Sequence, residues 1–214
     1  VEKVQKNLFL DSWLRACQGI GARAETNAVL DRLMEAYSEP HRKYHTLQHL
    51  RECIQLFEKV QALAKNAAEV EMALWFHDAI YKTRRNDNEE QSAYWARTAL
   101  SDAQVPQAAV DRVSELILVT QHTGIPINTD QKLIVDIDLS ILGASTDRFE
   151  EYERQIREEY AFVPGWIFRH KRRLILKKFL NRPRLYHTDY FYTTLEEQAH
   201  QNLSHAVHSI FHQY

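Results

Sequence analysis

Apolar residues recur three and four positions apart along almost the whole chain, the spacing that lines one face of an α-helix. Little interrupts the pattern. The 214 residues include only five glycines and five prolines, too few for the many tight turns of a sandwich or barrel. The periodicity predicts helices over roughly 6–19, 26–38, 45–64, 68–80, 88–103, 107–121, 133–142, 146–161, 165–180 and 189–212. It leaves one loop of some length, at 124–132. No segment alternates as a strand would. The expected fold is all-α, a single helical domain with a motif core over about 25–143 and a helical extension over 144–214. A chain of this length and 44% hydrophobic content can bury a core without disulfides.

Several function classes are disfavoured. No apolar run approaches the ~20 residues that span a bilayer, and the opening segment lacks the apolar core of a signal peptide. Cys17 and Cys53 form no CxxC pair or disulfide framework, so a reduced cytoplasmic setting is expected. A net charge of −2 argues against nucleic acid as a partner. Within 160–188 there is no acidic residue, whereas Arg169, Lys171, Arg172, Arg173, Lys177, Lys178, Arg182 and Arg184 are basic. Most of these suit the solvated face of a helix. Arg169 and Arg173 are candidates for contact with a substrate phosphate, which the planar guanidinium fork fits.

Eleven histidines carry most of the remaining information. His45 and His49, in YHTLQH, stand four apart, so a helix there places both rings on one face. The zinc-protease motif has that spacing but needs Glu after its first His, and Thr46 fills the position here. His77 and Asp78 close the apolar run VEMALWFHDAIY, and Asp136 and Asp138 lie inside LIVDIDLSIL. Carboxylates in such runs are normally paired or bound to metal, because burying them alone costs several kcal/mol. On a helix Asp136 and Asp138 point apart, so one of them faces a shared site. Two imidazoles and two carboxylates suit one divalent cation with positions left open for water and substrate. Mixed N/O ligands favour Mn, Fe, Co, Ni or Zn over Mg. His200, His205, His208 and His212 on the last predicted helix have no carboxylate at ligand spacing and read as surface histidines.

The order His49, His77-Asp78, then Asp resembles the HD superfamily of metal-dependent phosphohydrolases. PHRKYHTLQHL, ALWFHDAIY, NEEQSA, the Thr120-Gln121-His122 segment, DIDLSILG and the C-terminal FLNRPRLY stretch are similar to a stand-alone bacterial family of predicted HD phosphohydrolases. The resemblance covers roughly residues 25–205. It implies a helical bundle, metal ligands His49, His77, Asp78 and Asp138, and His45 as the acid that protonates the leaving oxygen. The likeness of Asp138-Leu139-Ser140 to the family segment carrying the last ligand selects Asp138 over Asp136. It further suggests His122 as a second-ion ligand or phosphate contact, Glu89 as a group orienting water, and Arg42 as a phosphate contact. The activity implied is hydrolysis of a phosphate ester or anhydride, with nucleotides as the substrate class. Two alternatives stand beside it: a metal-dependent nucleotide-binding sensor with little turnover, and an HD-fold di-iron oxygenase.

Overall fold

A computed structural model describes residues 2–24 and 26–209, with side chains from 8 to 208. His212 lies outside the described residues. Ten α-helices and three short 3-10 turns make up the described structure, with no strand among the described residues. The all-α expectation is met. No described helix is long and apolar enough to cross a membrane.

Contacts divide the chain into two compact units, Val1–Ile137 and Asp138–Tyr214. In the first, α1 (Glu2–Ile20), α3 (Leu47–Val60), α5 (Asn88–Asp102) and α6 (Gln107–Leu118) all pack on α4 (Ala67–Phe76). Two further helices, α2 (Asn27–Ala36) and α7 (Thr129–Asp138), belong to the same stretch of chain. Every residue of α4 from Glu69 to Phe76 is buried, as its all-round apolar sequence requires.

The two acids within α4 survive burial because neighbouring helices supply partners. Arg112 of α6 forks onto Glu69 with bonds of 2.7 and 2.6 Å. Arg15 of α1 bonds Glu71, and the Ser12 hydroxyl donates to the same carboxylate at 2.7 Å. Trp75 donates its indole N–H to Ser12 at 3.0 Å and meets Trp13 edge-on at 5.4 Å. Helices α1 and α4 approach so closely that a Cβ on Gly19 would stand 2.4 Å from that of Ala68.

The second unit holds the 3-10 turn Leu139–Gly143, α8 (Thr146–Glu159), α9 (Gly165–Leu180) and α10 (Asp189–Ser209). Helix α10 packs on α9 and on the 3-10 turn, and α8 packs on that turn as well. Glu196 of α10 accepts from the backbone N–H groups of Leu185 and Tyr186 at 2.8 and 3.0 Å. Asn202 donates to the carbonyls of Leu142 and Ala144, both at 2.9 Å.

Helix boundaries depart from the sequence expectation where side-chain caps compete with periodicity. Helix α3 begins at Leu47, because the Thr46 hydroxyl caps it by accepting from Gln48 N at 3.2 Å. Helix α4 ends at Phe76, so His77 and Asp78 sit in the turn beyond it. A left-handed residue follows the 3-10 turn Val119–Gln121 that extends α6. It is His122, with φ 55°.

Candidate metal centre

The ends of α3 and α4 bring the motif residues together. His49 is in the first turn of α3 and His77 caps α4, and both are buried. Their Nε2 atoms stand 3.1 Å apart. Asp78 Oδ2 lies 3.4 Å from His49 Nε2 and 3.2 Å from His77 Nε2. Three donor atoms this close together could share one divalent ion.

One further bond sets the chemistry of His77. Its Nδ1 lies 2.7 Å from the Leu74 carbonyl, which can only accept. The proton therefore sits on Nδ1, and in the neutral ring the Nε2 lone pair faces His49 and Asp78. A carbonyl behind a ligating imidazole is the usual way its tautomer and orientation are held. Burial pushes the Asp78 carboxyl up, but the neighbouring imidazoles of His77, His45 and His49, when protonated, outweigh it. The group is held well below the ordinary carboxylate range and stays anionic. Two nitrogen donors and one carboxylate fit a first-row divalent cation.

Cys53, one helical turn after His49, is a neighbour that the sequence reading passed over. Ligand atoms of His49, Cys53 and His77 all lie within 4.8 Å of one another, and this buried group could hold a metal ion. Its Sγ is 3.7 Å from both Nδ1 and Nε2 of His49. Equal distances of that length put the sulfur over the face of the imidazole, in line with neither nitrogen's lone pair. The carboxylate of Asp78 is therefore better directed than the thiol. The available signal was the spacing itself, a His and a Cys four apart on one helix.

His45 precedes the cap of α3, so the shared helix face expected for His45 and His49 does not form. The two rings are 6.1 Å apart at 75°. The half-buried His45 ring stacks on Tyr81 at 3.9 Å.

Arg42 lies inside the protein. Its side chain is fully buried. The Nη1 group donates to the carbonyls of His45 at 3.2 Å and Asp78 at 2.6 Å, and Nη2 donates to Ala79 at 2.9 Å. Nε donates to Glu39 at 3.0 Å. With no face toward solvent, Arg42 cannot receive a phosphate; it ties the segment before α3 to the turn after α4. Tyr37 assists, accepting from Asp78 N at 3.3 Å and donating to the Trp75 carbonyl at 3.2 Å. Burial, with the Asp78 charge, pushes the Tyr37 phenol up and keeps it protonated.

Other expected residues lie elsewhere. Glu89 is half-buried in the first turn of α5, whose cap position is Asp87. His122 ends the 3-10 turn Val119–Gln121, half-buried. Neither belongs to the His49, Cys53 and His77 group. Asp136 is wholly buried in the first unit, and Asp138 is the first residue of the second. Arg169 is exposed on α9 and Arg173 half-buried there. Compared with known proteins, the chain matches no family model, no curated protein and no solved structure.

Proposed function

We propose that this protein is a metal-dependent phosphohydrolase of the HD type, acting on a small phosphorylated molecule of the nucleotide class. The observation that carries the reading is the triangle of His49 Nε2, His77 Nε2 and Asp78 Oδ2, with edges of 3.1–3.4 Å. A divalent ion bound there supplies Lewis acidity and an activated water at neutral pH. Asp138 enters as a fourth ligand from the sequence alone, as do Glu89 and His122 in supporting roles.

In this reading the chain's own groups divide the work. The Leu74 carbonyl holds the proton of His77 on Nδ1, so Nε2 remains a donor pair. Asp78 supplies the negative charge that balances the cation. His45, its ring 6.1 Å from that of His49 and stacked on Tyr81, gives a proton to the leaving oxygen. An imidazole can act as such an acid.

The test has two stages. Metal content after dialysis against Mn, Fe, Co, Ni, Zn and Mg is compared for the wild type and Asp78→Ala. Phosphate release is then screened over phosphomonoesters, nucleoside triphosphates and cyclic nucleotides. Metal retention lost in Asp78→Ala, together with turnover of one of these classes, is expected. Tight nucleotide binding without turnover would establish the sensor reading, and an oxygen-bridged iron pair would establish the oxygenase.

A further inference from the structure

We propose that the second unit carries its own binding site for a small organic phosphate, in the groove walled by α8, α9 and α10. A cavity of about 790 Å³ opens there, lined by residues 146–206, all within this unit and none from the metal cluster. That volume falls in the range of small-molecule sites, ~300–1,000 Å³.

Four arginines, Arg154, Arg157, Arg169 and Arg172, line the cavity against two acids, Glu150 and Glu153. The wall is therefore net +2 before His205 is counted, in a chain whose formal charge is −2. Two of the arginines are committed. Arg172 forks onto Glu153, with Nε 3.1 Å from Oε1. Arg157 donates to the carbonyls of Tyr160 and Val163 at 2.7 and 3.2 Å, with its guanidinium 4.9 Å from the centre of the Phe168 ring. Arg154 and Arg169 form no hydrogen bond or ion pair among the described residues. They come from different helices and line the same space.

Two uncommitted guanidiniums in a wall of net +2 match a phosphate dianion in charge and in donor geometry. Phe149, Phe168 and Ala206 add apolar surface to the wall. Inorganic phosphate alone would leave that surface unused, so the ligand is a phosphate with an apolar or aromatic body. Glu150 opposes it, and its charge gives the proposal a sign that can be checked.

The probe is phenyl phosphate, titrated calorimetrically into the full chain washed free of metal, alongside phenol, benzoate and inorganic phosphate. Phenyl phosphate is expected to bind more tightly than the other three. Arg154→Ala and Arg169→Ala should each weaken it by about 10–100-fold. Glu150→Gln should tighten it a few-fold, which loss of fold could not do. His77→Ala should leave it unchanged, so this site stands or falls separately from the metal reading. Binding insensitive to both arginines, absent at millimolar concentration, no tighter than benzoate, or lost in His77→Ala would overturn the proposal.

Discussion

The Nε2 atoms of His49 and His77 stand 3.1 Å apart across 28 residues of sequence. Two imidazole nitrogens that close need a proton or a cation between them, because two lone pairs facing each other repel. His77 has its proton on Nδ1, toward Leu74. A proton on His49 Nε2 or a bound cation would fill that gap, and either would also face Asp78.

Substitutions separate the two ways this cluster can bind metal. Asp78→Ala should lower affinity by more than 100-fold, as expected for loss of a direct ligand. Cys53→Ser should lower it by less than 10-fold, since the thiol sits over the His49 ring. Cobalt titration followed by visible absorbance checks both. A sulfur-to-cobalt charge-transfer band in the wild type, absent in Cys53→Ser, would make the thiol a ligand.

Arg42→Ala should destabilise the first unit by about 3–5 kcal/mol, because it leaves buried carbonyls at His45, Asp78 and Ala79 without a donor. Arg42→Lys should recover less than half of this, since one ammonium cannot span the fork. Urea unfolding measures both. A near-neutral Arg42→Ala would show that water replaces the guanidinium.

If His45 is the general acid, His45→Ala should keep its metal while kcat falls by about 10²–10⁴-fold. The deficit should shrink for a p-nitrophenyl ester, whose leaving group needs no proton. Steady-state kinetics on the poor and good leaving groups checks this. Equal losses would remove His45 from that role.

Gly19→Ala tests the helix crossing. Propensity alone favours Ala within a helix by up to ~1 kcal/mol. The packed position reverses the sign, because the new Cβ would meet Ala68 Cβ at 2.4 Å. Overpacking should cost about 1–3 kcal/mol, lowering the melting temperature by roughly 2–10 °C. Gly143→Ala should behave alike, since its Cβ would meet the Leu195 carbonyl oxygen at 2.8 Å. Differential scanning fluorimetry reads both.

What the amino-acid sequence determined by itself is the set of helices and the placing of His77 and Asp78 at the end of a buried one. Both follow from local rules: a 3.6-residue period and the cost of an unpaired carboxylate in an apolar run. Those rules faltered where a cap outweighed the period, which is why α3 starts after His45 and not at it. Gly143 is needed for the close approach of Leu195, which nothing in its local sequence shows. Tertiary structure alone decided the partners. It set the His49–His77 distance, laid Cys53 over an imidazole, spent Arg42 on backbone carbonyls and turned Arg169 toward a cavity. Each of these depends on where helices distant in sequence cross, and that is set by the packing of whole faces, which residue spacing within one helix does not encode.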